Sequence, residues 1–396
     1  MLHRLQAVPP DPILGIIAAH ADDPNPRKID LGIGVYRDEA GKTPILECVR
    51  QAERTLIETQ TSKSYLGPPG VPGFNSAMRT LIFGQDSAAL QENRVRTVQT
   101  PGGTGALRIG ADLIKTARPA AKVWASDPTW ANHLAIFPAA GLELESYPYF
   151  DRQRSALRFE DMMEALAQRG PDDVVLFHAC CHNPCGVSPD PEQWQAITDL
   201  AAERRFLPMV DLAYQGFERS IEDDCLAVQL FAEKCPELIV ASSCSKNFAV
   251  YRERVGAVSV VCGSAQKAAD VETVIHSVTR KNYSMPPTHG TGIVDIILHS
   301  GELTALWRDE VAAMRDRING LRKTLSNRIA AAGIERDFSF LQRQSGMFSF
   351  LGLSVEQVRR LREEYSIYTV DSARVNIASF NDSNLAYFIE ALKEVL

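Results

Sequence analysis

Between about residue 45 and about residue 310, short apolar runs alternate with longer stretches in which apolar positions recur every three or four residues. That rhythm predicts β-α-β units and a largely parallel sheet, since fully buried strands read as continuous apolar runs and the helices that cover them as amphipathic ones. The spacing marks strands at 95–99, 122–126, 142–147, 173–178, 207–211, 239–242 and 257–261, seven in all. Asp190-Pro191-Glu192-Gln193 predicts a helix start, with an acid to cap it, proline at the first helical position and glutamine to close a capping box. After about residue 312 the pattern becomes α+β: a long charged helix, short strands around 345–351 and 374–378, and helices at 354–365 and 381–396. Ser354-Val355-Glu356-Gln357 supplies a second capping box. Residues 1–42 lack the β-α rhythm and are expected to pack with the tail. The expected organisation is an N-terminal arm (1–44), a large domain (45–312) and a small C-terminal domain (313–396).

Composition agrees with two packed units. The chain has 396 residues, 45% apolar and 23% charged, enough to bury a sizeable core and unlike a disordered chain. Net charge is 42 − 49 = −7, and no basic run is long enough to neutralise a series of phosphates, so nucleic acid is not an expected partner. Residues 1–11 lack a secretory apolar stretch, and no segment has the length to cross a bilayer, so a cytoplasmic protein without a membrane partner is expected. Eight irregularly spaced cysteines, several inside strand-like runs, are expected to be reduced and buried.

Ligands of open parallel sheets sit beyond the carboxyl ends of the strands, so the residues following each run carry the chemistry. The first strand leads into Pro101-Gly102-Gly103-Thr104-Gly105, a glycine turn opening a helix, which offers backbone N–H groups and the Thr104 hydroxyl to a phosphate. Such a turn is by itself more often structural. After the strand at 239–242 come Ser243-Cys244-Ser245-Lys246-Asn247-Phe248 and then Arg254. A lysine between an apolar strand and a phenylalanine is desolvated, which lowers its pKa and makes it a nucleophile suited to Schiff-base chemistry. Ser243 and Arg254 suit a phosphate held close by. Asp211, at the end of its strand, either caps a turn or pairs with a protonated pyridine nitrogen, and Asn183 and Tyr214 are placed to donate to a ring oxygen. Cys180-Cys181-His182-Asn183-Pro184-Cys185 also suggests zinc, but adjacent ligands on a strand point in opposite directions and no second Cys-x-x-Cys pair follows.

Together these residues resemble the class I, fold type I aminotransferases that depend on pyridoxal 5′-phosphate (PLP), specifically the aspartate and aromatic amino acid group. The strongest segments are 30–36, 100–107, 180–186, 211–217, 242–248, 252–256 and 346–350. The resemblance implies an α/β fold with a mostly parallel seven-stranded sheet and a smaller α+β domain. It implies PLP on Lys246, which also carries the 1,3-proton shift, with Asp211 on the pyridinium, His178 behind Asp211, and Trp130 stacked on the ring. Asn183 and Tyr214 become the ring-oxygen partners, and Gly103, Thr104, Ser243 and Arg254 the phosphate ligands. Tyr65 reaches the phosphate of a neighbouring subunit, which implies a homodimer with shared active sites.

For amino acid and 2-oxo acid substrates, the resemblance gives Arg374 the α-carboxylate, with Gly34 and Phe348 around it, and gives Arg280 of the other subunit a second carboxylate. It also implies cis peptides at Asp127-Pro128 and Asn183-Pro184. Cys185, Ala249, Met285 and Ser64 depart from the usual pattern and bear on the choice between aspartate and aromatic substrates. The expected reaction is ping-pong transfer of an amino group from aspartate or an aromatic amino acid to 2-oxoglutarate. A β-lyase or decarboxylase on the same fold is the alternative. A ligand-sensing protein lacks a DNA-binding extension, and a nicotinamide enzyme leaves Lys246 and Arg374 without a purpose.

Overall fold

A computed structural model describes residues 2–7 and 12–396. Met1 and residues 8–11, part of the stretch read as free of a secretory signal, lie outside it. The seven expected strands form one sheet: β1 Val95–Pro101, β2 Lys122–Asp127, β3 Glu143–Pro148, β4 Asp173–His178, β5 Leu207–Leu212, β6 Leu238–Ser243 and β7 Val255–Val261. Their order is β1-β7-β6-β5-β4-β2-β3. Only β7 runs against its neighbours, so the carboxyl ends of the other six open on one side. Strands β6 and β7 are buried at every position, which is why they read as unbroken apolar runs.

The chain divides into two compact units. The larger holds Pro44–Arg317 and Gln344–Gly346; the smaller holds residues up to Thr43, Ile318–Arg343 and Met347–Leu396. The larger unit's core lies between its sheet and helices such as α1, Gly102–Ala117, whose inner face buries Ala106, Leu107, Ile109, Ala111, Leu113 and Ile114. The helix at Pro191–Arg204 opens with the expected Asp190/Gln193 box, a cap worth about 1 kcal/mol.

In the smaller unit Ile29–Asp30 pairs in parallel with Ile367–Tyr368, and Phe348–Phe350 pairs antiparallel with Arg374–Asn376. Ile29 and Asp30 therefore pair with the tail. The Ser354/Gln357 box also forms. One expected boundary moves. The charged helix, α2, spans Gly301–Ala331 and starts before residue 312. Leu303, Trp307, Val311, Met314, Ile318, Leu325 and Ile329 are buried at helical spacing, and Gly320 does not interrupt it, so one helix continues past residue 312.

All eight cysteines are free and buried. Among the described residues no group of His, Cys, Asp or Glu could hold a metal ion, and no helix is long and apolar enough to cross a membrane.

Candidate active site

The ends of β1, β2, β4, β5 and β6 bring most of the expected residues of the larger unit to one edge of the sheet. Beyond β1, Gly102 adopts φ +71, and a Cβ there would lie 2.5 Å from the Arg254 guanidinium. A Cβ on Gly256 would strike the Gly102 backbone at 2.5 Å. Both positions need glycine for the turn to lie against β7 and Arg254. The first N–H groups of α1, including those of Gly103 and Thr104, have no partner within the helix and carry its positive end. A Cβ on Gly103 would sit 3.1 Å from the Ser243 Cβ, so this helix end and the end of β6 are in contact. Arg254 donates to the Ser245 hydroxyl at 3.3 Å and to the Tyr251 carbonyl at 3.0 Å, while Ser243 donates to Ser245 at 3.1 Å. A hydroxyl, a guanidinium and a helix N-terminus thus meet within one turn.

Lys246 follows β6. Its Nζ lies 4.6 Å from the centre of the Tyr214 ring. Desolvation lowers its pKa from 10.5 to about 8; the Asp211 charge resists this and the Arg254 charge adds to it. The loop is held from below: Trp307 donates to the Asn247 carbonyl at 2.8 Å, and Phe248 stacks on Trp307 with centroids 4.4 Å apart. A stacked pair of this kind contributes roughly 1 kcal/mol beyond its burial.

Asp211 is buried at the end of β5, directly across the ladder from His178. Burial opposes its ionisation, but the hydrogen bond from His133 and the charges of His133 and Lys246 outweigh it and hold the carboxyl below its ordinary range. The histidine behind Asp211 is His133, whose Nε2 lies 3.2 Å from Oδ2, and this corrects the placement of His178. His178 stands one step back: Thr129 Oγ1 is 2.8 Å from His133 Nδ1 and 3.2 Å from His178 Nε2. Burial and the neighbouring His133 push the His178 pKa down to about 3, so that ring is neutral. An ionised carboxylate accepts, so His133 Nε2 donates to it. No local pattern in the sequence singled out His133, because its partner Asp211 lies 78 residues along the chain.

Trp130 stands edge-on to His133 with centroids 5.2 Å apart. Both X-Pro bonds, Asp127-Pro128 before Trp130 and Asn183-Pro184, are cis. The Asn183 Oδ1 is buried without a hydrogen-bond partner among the described residues. Tyr65 is 92% exposed, and Arg280, bonded to the Ser284 hydroxyl at 2.6 Å, is exposed as well.

In the smaller unit, Arg374 is buried, donates to the Gly32 carbonyl at 2.6 Å and lies over the Phe348 ring at 4.2 Å. Gly34 abuts the same ring. Asn376 donates to the carbonyls of Ile33 and Val35 at 2.8 Å each and so fixes the Gly34 turn. Arg322, which sequence reasoning passed over as one more charge on a helix, is fully buried and bonds the Phe348 carbonyl at 2.8 Å and the Ser349 hydroxyl at 2.7 Å. Gly34, Phe348 and Arg374 therefore form one cluster.

Comparison with known proteins agrees with this chemistry. Residues 26–392 match the family described as Aminotransferase class I and II. The chain is 48% identical over 396 residues, all of both chains, to an aspartate aminotransferase of Salmonella typhi. It is 44% identical over 392 residues to an aromatic-amino-acid aminotransferase of Pseudomonas aeruginosa, covering 99% of this chain and 98% of that one. The crystal structure of an aromatic-amino-acid aminotransferase from Burkholderia pseudomallei, covalently bound to pyridoxal phosphate, superposes with a TM-score of 0.98 at 45% identity, covering 100% of this chain and 99% of that one. The chain belongs to the class I and II aminotransferases.

Proposed function

We propose that this PLP-dependent aminotransferase moves the amino group of aspartate, and of aromatic amino acids, to 2-oxoglutarate, with Lys246 as both cofactor anchor and proton carrier. The observation that carries the reading is a desolvated lysine amine, its pKa lowered to about 8, beside the Asp211 carboxylate at the carboxyl edge of the sheet. The residues fit the cofactor. The turn at Gly102 leaves a cradle between α1, Ser243 and Arg254 that side chains would fill. When bound, PLP supplies an electron sink for charge that develops at the substrate's α-carbon.

The chain's own residues do the rest. Ser243, Arg254 and the first N–H groups of α1 hold the phosphate. Asp211, kept ionised by His133, retains a proton on the pyridine nitrogen. Trp130 would stack on the ring, with His178 supporting His133 through Thr129. Asn183 and Tyr214 donate to the ring oxygen. Lys246 would anchor the cofactor through its amine and would serve as the base that carries the proton lost from the substrate's α-carbon.

Arg374, backed by Phe348 and Gly34, pairs with the α-carboxylate through its planar fork, and Arg280 takes a side-chain carboxylate. Tyr65 and Arg280 act in the neighbouring subunit of a homodimer. Their exposure supports that reading, as does the run of exposed apolar side chains Ile57, Tyr65 and Leu66. Eight reduced thiols support a cytoplasmic site of action.

The test is a half-reaction. PLP-loaded protein mixed with aspartate or phenylalanine, without an oxo acid, is expected to release one equivalent of 2-oxo acid and leave the cofactor aminated, seen by absorbance. Release of carbon dioxide or ammonia instead, or no response to either amino acid, would defeat the assignment.

A further inference from the structure

The two groups assigned to the cofactor's ring oxygen ride on separate loops: Asn183 follows β4 and Tyr214 follows β5. Neither loop has a sheet partner at that point, so side chains have to fix one against the other. Asp224, buried in the turn Asp223–Cys225, gathers the Tyr214 loop by accepting from the backbone N–H groups of Gly216 at 2.8 Å, Glu218 at 3.0 Å and Arg219 at 2.9 Å. Glu218, presented by that loop, reaches the other one. Its Oε2 accepts from the Cys181 N–H at 2.7 Å and from the Ser188 hydroxyl at 2.8 Å. Cys181, two residues before Asn183, has φ +49, a left-handed conformation a non-glycine residue keeps only when its surroundings hold it.

We infer that Glu218, oriented by Asp224, is a positioning residue that locks the Asn183 loop to the Tyr214 loop, so that both donors reach one oxygen of the cofactor together. The inference rests on the assignment of Asn183 and Tyr214 made above. Glu218 touches neither cofactor nor substrate in this account. It acts through the two donors, whose joint hydrogen bonds stabilise a negative oxygen and so lower the pH at which the bound cofactor changes absorbance.

The experiment compares the PLP-loaded wild type with Tyr214→Phe, Glu218→Ala, Glu218→Gln and Tyr214→Phe/Glu218→Ala, reading the pH midpoint of that change along with kcat and KM. Tyr214→Phe raises the midpoint. Glu218→Ala raises it in the same direction, by about half to one pH unit, and lowers kcat about three- to tenfold with a smaller change in KM. Glu218→Gln, which keeps an acceptor oxygen, recovers most of both effects. The double variant shifts by less than the sum of the singles because the two changes act on one group. Ser188→Ala removes one of the two bonds to Glu218 and gives a smaller shift of the same sign, readable even if Glu218→Ala fails to fold. A Glu218→Ala protein that melts earlier but keeps the wild-type midpoint and kcat, or an unshifted Ser188→Ala when Glu218→Ala cannot be obtained, overturns the inference. An unmoved midpoint in Tyr214→Phe would instead overturn the Tyr214 assignment beneath it.

Discussion

Lys246 and Arg374 are both cations held away from bulk water, one in each unit, and burial does different work on them. Lys246 has the Asp211 and Arg254 charges pulling its proton in opposite directions, so desolvation decides the outcome and its pKa falls to about 8. The residue becomes a reagent that can gain and lose a proton near neutral pH. Arg374 is surrounded by the Gly32 carbonyl and the face of Phe348, and a guanidinium does not give up its charge. Burial there fixes only the direction of a planar group that stays charged. The lesson is that the same desolvation makes a lysine reactive and an arginine selective.

Reciprocal exchange is the hardest test of that contrast. Lys246→Arg keeps a cation but removes the switch, and turnover should fall by about four orders of magnitude or more, measured in the same half-reaction with aspartate. Activity within tenfold of wild type would end the contrast. Arg374→Lys keeps the charge but loses the planar fork. Its kcat/KM for amino acid should drop roughly 10- to 100-fold, while the pH dependence of Lys246 stays as it was.

The smallest effect sharpens the electrostatic half of the argument. In cofactor-free protein the Lys246 amine is protonated and inert below about pH 8, then becomes nucleophilic as pH rises through that value, well before an ordinary lysine at 10.5. Because the Asp211 charge raises this pKa, Asp211→Asn should move the onset of amine modification down by about one unit. An upward move would mean that Asp211 does not act on Lys246 through its charge.

What the sequence made legible follows from the kind of interaction involved. The strands and capping boxes rest on local patterns, and all seven strands and both boxes are present. Strand-end residues such as Asp211 and Lys246 stood out because unusual chemistry followed an apolar run. His133, Arg322 and Glu218 did not, since each earns its place through a partner far along the chain: Asp211, the strand at Phe348–Phe350, and Cys181 with Ser188. The start of α2 was missed for the opposite reason. Its apolar repeat is continuous, and the shift in composition near residue 312 marks no structural break.

The burial of every cysteine also gives the molecule an internal clock. With no thiol at the surface to react first, a maleimide dye can label the folded protein only during excursions that open the core. The eight sites are spread from Cys48 to Cys262, all in the larger unit, so the order in which they become labelled would map which parts of that unit part earliest. A single cysteine introduced on the surface would be modified alone, against a silent background.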